Sequence, residues 1–559
     1  MRRVRWAALC LAVLLGSGCQ VASGLDDLEV PARADGEPCV VDPECVSGFC
    51  ADGVCCAEAC AGPCETCRAT ETRGTCTFHP QNTDPDGDCD QFGRCDGGGA
   101  CTYDGVHQWS HQFGGEDDQI ATGLAHGPGD RQVMVGGFNG SMALDNVLTA
   151  AGSSGTPNDM YVAAFDDAGD PQSSRGLGDE SVERPTSVAV DGSGRVVVAG
   201  TFNGDLDFGG VLLQTPPFKE TVFLATLLGD LTTLRAFAFA PQHAEDEPTS
   251  RVGQPALAIA DDDSVLIAGH FRGDIDFGQG PLSSVGDQDY YLARFDSNGA
   301  LQWTAQWGSA FTEGDEPPFS ARLAADADGN AYVAGTYRHA MAIGSEPLAD
   351  DGARTEQSFV AKLDAQGEPV WTRAIGGAGR QVVTSIATGP DQALVVVGVF
   401  TDELAFDGQV WKASGLGHVD YFVIKLDTGG GHSMSRTFAG SPSLDSHGAF
   451  MSAPREVKLD ESGNVVLFGQ VLGSVRFGPG PLISRGSADV FVAKLTSDLE
   501  HLWSKRYGDE ADQTAFAGSL TADGSVVAAG FFYGVLDFGG TIPLESADGS
   551  DVFLVKFAP

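Results

Sequence analysis

Cysteine is the residue type most able to do chemistry here, and its fourteen copies crowd into the first fifth of a 559-residue chain. Cys10 and Cys19 lie near the start. Twelve more fall at Cys39, Cys45, Cys50, Cys55, Cys56, Cys60, Cys64, Cys67, Cys76, Cys89, Cys95 and Cys101, and none follows. Thiols at this density bind a soft metal or pair with one another. "CETC" (Cys64, Cys67) has the spacing of a zinc half-site, but a structural zinc needs a second matched pair. The segment is dense in Gly, Asp and Pro and poor in large aliphatic residues, so it cannot hold a fold without crosslinks. Six disulfides formed in an oxidising compartment are the expectation. Twelve thiols allow about ten thousand pairings, and spacing does not choose among them.

Carboxylates are the second candidate set. "DPDGDCD" alternates Asp84, Asp86, Asp88 and Asp90, and the turns at Asp326/Asp328/Gly329 and Asp261/Asp262/Asp263 gather further oxygens that calcium accepts. Asp and Gly also belong in tight reversals for backbone reasons alone. A solvated turn is therefore the plainer reading, with calcium the weaker one and no other cofactor indicated. No HExxH, GxSxG or P-loop occurs, and the histidines show no paired ligand spacing. His111 reads as packed or solvent-facing, and no catalytic residue is assigned.

Acidic residues outnumber basic ones 77 to 33, a formal charge of −44. Nucleic acid and anionic lipid surfaces repel such a chain, whereas cations, basic partners and neutral glycans do not. At the start, Arg2, Arg3 and Arg5 precede an apolar run from Trp6 to Leu15, too short to span a bilayer permanently, which reads as an export signal. "LLGSGC" resembles the lipobox of bacterial lipoproteins, with Gly16 where that family has a larger apolar residue. The resemblance implies a diacylglycerol on Cys19 and attachment to the outer membrane. Residues 20–38 are polar and lack aromatics, as a tether does. "CVSGFCADGVCC" and "ACAGPCETC", within 39–101, resemble a module that follows the lipobox in myxobacterial-type surface lipoproteins.

The elements that would position any site come from self-comparison. "VMVGGFNGSMALDN", "VVVAGTFNGDLDFGG", "VLIAGHFRGDIDFGQG" and four similar phrases recur, with a glycine at Gly137, Gly200, Gly269, Gly335, Gly398, Gly469 and Gly530. Each copy carries a short apolar run, an Asp-Gly turn, this β-branched strand, a strand of the "DYFVIKL" kind, and a strand with large residues four apart, as at Trp303/Trp307 and Trp503/Tyr507. Four strands repeated seven times predict an all-β, seven-bladed propeller over 106–559. The seventh copy stops at Pro559 before its last strand. "VHQWSHQFGG" supplies it from the other end, with Trp109 and Phe113 in the places of Trp503 and Tyr507, so the N-terminal strand closes the ring. "GNAYVAGTY", "DFGG" and "LDAQGEPVW" make the repeats similar to bacterial SBBP-type repeats. The last phrase also resembles quinoprotein propellers, which typically have eight blades where this chain has seven.

The leading functional expectation is a lipid-anchored, non-enzymatic envelope protein that uses a rigid propeller for adhesion or recognition of a protein or glycan. A periplasm-facing scaffold and a carbohydrate-active enzyme on the rim are the alternatives. Channel acids standing with a His or Arg out of step with the repeat would mark the enzyme, and a large apolar patch the scaffold. The long insertions 240–254 and 440–454 are the expected partner-binding rim.

Overall fold

The computed structural model describes residues 32–60, 64–69, 72–78, 93–95, 101–103, 105–115, 117–151, 158–215, 220–242, 251–286, 288–309, 321–349, 352, 355–444, 450–547 and 549–559. Cys19, Cys89, Asp84, Asp86, Asp88 and Asp90 lie outside them, as do 243–250 and 445–449 of the two long insertions. The chain divides into two compact units, 1–106 and 107–559.

The first unit is held by sulfur. Cys39–Cys50 overlaps Cys45–Cys55, and Cys56–Cys67 overlaps Cys60–Cys76, each closing a loop of 10 to 16 residues. Loops of this length each remove about 3 kcal/mol of chain entropy from the unfolded state. Short hairpins, Cys50–Ala51 with Val54–Cys55 and Glu65–Thr66 with Thr77–Phe78, are all the regular pairing these crosslinks need. Cys64 is also disulfide-bonded, so both cysteines of "CETC" are oxidised rather than metal-ligating.

The second unit is the seven-bladed propeller. Blade 2 shows the plan: Glu183–Val190, Val196–Phe202, Thr221–Leu227 and Thr233–Phe239 pair in sequence order, all antiparallel. A small hairpin, Asp205–Asp207 with Leu212–Gln214, bridges its second and third strands. Blade 7 takes Gln513–Leu520, Val526–Phe532 and Asp551–Phe557 from the end of the chain and His107–Phe113 from its start. The expected closing strand is in place, with Trp109 opposite Lys556 and Phe113 opposite Val552.

One contact recurs in every blade. The repeat glycine of the second strand lies directly across from an aromatic residue of the third: Gly136–Tyr161, Gly200–Phe223, Gly269–Tyr291, Gly335–Phe359, Gly398–Phe422, Gly469–Phe491 and Gly530–Phe553. Every ring is fully buried. At the first six, a Cβ on the glycine would stand 2.6–2.9 Å from the ring, closer than carbon contacts allow. The first blade corrects the sequence reading. Its repeat glycine is Gly136, not Gly137, because Gly137 aligns with Thr201 and His270, where other blades carry side chains.

Each of the seven junctions between blades has its own apolar core, and the large residues of the fourth strands sit in them. Trp371 and Ile375 of blade 4 pack on Val383 and Leu394 of blade 5, and Trp503 and Tyr507 of blade 6 on Ala515 and Val526 of blade 7. Indole N–H groups reach across the junctions as well: Trp109 Nε1 donates to Asp167 O (3.0 Å), Trp303 Nε1 to Ala365 O (2.9 Å) and Trp371 Nε1 to Thr428 O (3.1 Å). The wedge role expected for these residues is what the structure shows.

The two adjacent glycines of blade 1 therefore separate in a denaturation experiment. Gly136→Ala is expected to lower stability by about 1–3 kcal/mol, because its Cβ would meet the backbone carbonyl of Ile120 and the Tyr161 ring. Gly137→Ala should change it by less than about 1 kcal/mol. Urea unfolding of the two variants measures the difference, and equal costs would refute the assigned register.

Candidate functional site

The turns joining first to second strands carry the Asp residues considered for calcium, and Asp326, Asp262 and Asp263 among them accept from protein donors. Asp326 is buried and accepts from Asp328 N (3.1 Å), Asn330 N (2.9 Å), Tyr332 OH (3.0 Å) and Lys362 Nζ (3.1 Å). Burial opposes its ionised form, but these hydrogen bonds outweigh burial and hold its pKa below the usual carboxylate value. Lys494–Asp460 (3.1 Å), Lys425–Asp391 (3.0 Å) and Arg294–Asp262 (2.9 Å) repeat the arrangement in blades 6, 5 and 3. The basic residue is the penultimate one of each third strand, so the pair clamps that strand to its own blade's turn. Asp328 is exposed, and among the described residues the groups of three ligand atoms close enough to share an ion all lie in the first unit, on its cysteines and Glu65. His111 packs on the next blade, with Nε2 2.8 Å from Ala168 O.

At the opposite end of the strands a second motif spans the junctions. Asp551, Asp489 and Asp159 open the third strands of blades 7, 6 and 1, and each is buried. Facing them across a glycine stand Gln119, Gln513 and Glu183, which open the first strands of the following blades. The glutamines satisfy themselves with amide hydrogens: Gln513 Nε2 donates to Tyr533 O at 3.0 Å, and in blade 5 Gln381 Nε2 donates to Glu403 O at 2.7 Å. Glu183 has no such hydrogens. It is 1% exposed, and neither carboxylate oxygen has a hydrogen-bond partner. Burial, then the charges of Asp179 and Asp159, push its pKa up to about 9. At neutral pH it is a protonated acid standing where other blades use glutamine.

The central channel is the third feature. The first strands, Gln119–Gly127, Glu183–Val190, Ala256–Ile259, Arg322–Ala325, Gln381–Thr388, Ala453–Leu459 and Gln513–Leu520, each neighbour the next and form a closed inner ring. Side chains stitch it together. Thr122 Oγ1 donates to Pro185 O (2.6 Å), Thr186 Oγ1 to Pro255 O (2.7 Å), and Ser519 Oγ to Gln132 Oε1 (2.5 Å). Five first strands carry a bulge at the same level, which re-aims one residue: Thr122, Thr186, Thr384, Arg455 and Phe516. Blade 6 is out of step. It reads Arg455-Glu456-Val457-Lys458 where blade 2 reads Thr186-Ser187-Val188-Ala189. In blade 4, Arg322 occupies the level of Ser187.

Glu456 is engaged on both oxygens, by Lys458 Nζ (2.6 Å) and by Gly518 N (2.7 Å). The arginines differ. Arg322 donates to the carbonyls of Thr384 and Ala321. Arg455 lies over the Phe516 ring at 5.8 Å, and its Nε has no hydrogen-bond partner. Burial and the charge of Arg455 lower the pKa of Arg322 to about 10. Among the described residues the channel thus holds the Glu456–Lys458 ion pair and two arginines without a carboxylate partner. Sequence reading missed this set and the Glu183 junction, although aligning blade 6 with its sisters exposes the Thr-to-Arg and Ala-to-Lys breaks.

No family model matches the chain. Over 130 residues it is 24% identical to an uncharacterized WD repeat-containing protein, L264, of Acanthamoeba polyphaga mimivirus, a match spanning 21% of this chain and 9% of that protein. Among solved structures it is similar to Sqt1 from Chaetomium thermophilum, with 8% identity, 82% of this chain and 99% of that one covered, and a TM-score of 0.36. It is also similar to the gluconolactonase XC5397 from Xanthomonas campestris, with 12% identity, coverages of 79% and 87%, and a TM-score of 0.31. These likenesses assign no ligand or activity, and the fold rests on the blades themselves.

Because Glu183 has a folded-state pKa above its unfolded value, the folded state holds its proton more tightly. Its contribution is most favourable below about pH 4.5 and falls as pH rises toward 9. Glu183→Gln restores the glutamine of other blades and should gain about 1–3 kcal/mol at pH 8, shrinking toward pH 4.5. Thermal melts across that range check it, and a gain independent of pH would count against a protonated Glu183.

Proposed function

We propose that the chain is an exported, lipid-anchored, non-enzymatic envelope protein whose propeller recognises a protein or glycan partner. The observation that carries this reading is how the propeller uses its ionisable side chains. Asp326, Asp460, Asp391 and Asp262 are engaged with repeated basic partners, and the channel's Glu456 is engaged by Lys458 and a backbone amide. Glycoside hydrolysis needs two free carboxyl groups facing one bond, and the described channel residues offer none. What is left over is donors, which suit the binding of a partner.

Two further observations favour recognition over a scaffold. Exposed large apolar residues of the propeller are spread over several blades, as Val147, Leu212, Val410 and Ile483 are on the hairpins of four different ones. Single exposed apolar residues are ordinary, whereas a docking scaffold gathers them into one patch. The disulfides of the first unit accord with an oxidising compartment, and the lipid on Cys19 follows from the lipobox resemblance.

Protease shaving of intact cells, followed by blotting for the propeller, tests the address. Release of propeller fragments from unbroken cells is expected. Protection that disappears only when the outer membrane is opened would contradict surface recognition and favour the periplasmic scaffold.

A further inference from the structure

We propose that the central channel binds an oxyanion, a carboxylate or sulfate group of the partner, on the guanidinium groups of Arg322 and Arg455. The inference deepens the recognition reading by naming the chemistry of what is recognised.

At the bulge of the inner strand, blades 1, 2 and 5 use threonine, and in blades 1 and 2 its hydroxyl bonds a carbonyl of the next blade. Arg455 takes that place in blade 6 and makes no such bond. A structural role would be better served by threonine, so stitching the ring does not explain the arginine. A guanidinium presents five N–H donors in a planar fork and stays charged, which suits it to carboxylate and sulfate.

Charge points the same way. The chain has 77 acidic against 33 basic residues, so partners for buried cations are abundant. The buried Arg294, Lys362 and Lys494 each have an Asp within 3.1 Å. Arg322 and Arg455 have no carboxylate at ion-pair distance among the described residues, and the charge of Arg455 disfavours that of Arg322. Glu456, the acid nearest in sequence to Arg455, is already held by Lys458 and Gly518 N. Two part-buried arginines on the inner ring, with no carboxylate at ion-pair distance among the described residues, offer guanidinium donors that suit an anion. The Phe516 ring beside Arg455 adds a flat apolar surface suited to the carbon face of a sugar ring.

Calorimetric titration of the purified full chain with sodium glucuronate and with sodium sulfate, at ionic strength matched by sodium chloride, tests the proposal. Saturable binding of at least one anion is expected, weakened tenfold or more by Arg455→Met. Arg455→Lys keeps the charge without the fork and should fall between. Arg455→Met without anion should melt no lower than the parent chain, which shows that it folds. The tighter of the two anions identifies the source, a uronate-type or a sulfated ligand. No saturable binding of either, or equal affinity in Arg455→Met, overturns the proposal. Such a failure leaves the shaving result untouched, so it removes the ligand class without removing surface recognition.

Discussion

The propeller depends on a missing side chain. Seven glycines stand opposite seven buried aromatic rings, and a Cβ on any of them would meet the ring or the backbone of the first strand. That contact sets how deep the third strand's side chains sit and therefore how thick each blade is. Seven equally thick blades can meet around one axis, and the large residues of the fourth strands then fill the space between them. A single Cβ at one of these positions has to move a ring with no free volume around it, because interiors are packed as tightly as organic crystals.

Closure follows from the same geometry. A ring of sheets has no exposed edge only if the last blade is completed, and here the strand His107–Phe113 completes it. Its Trp109 reaches the turn of blade 1, as Trp303 reaches that of blade 4. The inner ring can then be stitched by hydroxyls, and departures from the stitching become visible against it. Glu183 departs at a junction and Arg455 in the channel, and each leaves polar atoms without partners. Repetition makes such departures interpretable: three sister blades carry threonine at the bulge and three carry glutamine at the junction.

Much of this was legible in the sequence, and the reasons are physical. Strand period, turn residues and the large pair four apart are local, so the seven blades and the closing strand could be read directly. The register of blade 1 could not, because Gly136 and Gly137 are adjacent and only the cross-strand partner Tyr161 distinguishes them. The Asp residues at 326 and 328 read first as a tight turn and only second as calcium ligands, because a turn that caps itself and a turn that binds metal use the same residues. Local spacing could not show that Lys362, 36 positions downstream, reaches Asp326. Glu183 and Arg455 are invisible to local pattern, since their meaning lies in what fails to face them. The overlapping disulfides were likewise beyond spacing, which leaves every pairing open.

The central claim is that the two ends of the propeller segment form one blade and that the ring is a single cooperative unit. Native-state hydrogen exchange on the strand His107–Phe113 tests it most directly. The account predicts that amides there which bond to Asp551–Phe557 exchange only through global unfolding, with the same free energy as the inner strands of blades 2 and 5. Exchange of that strand at the rate of exposed turns, while the other blades stay protected, would show the ring to be open and contradict the account.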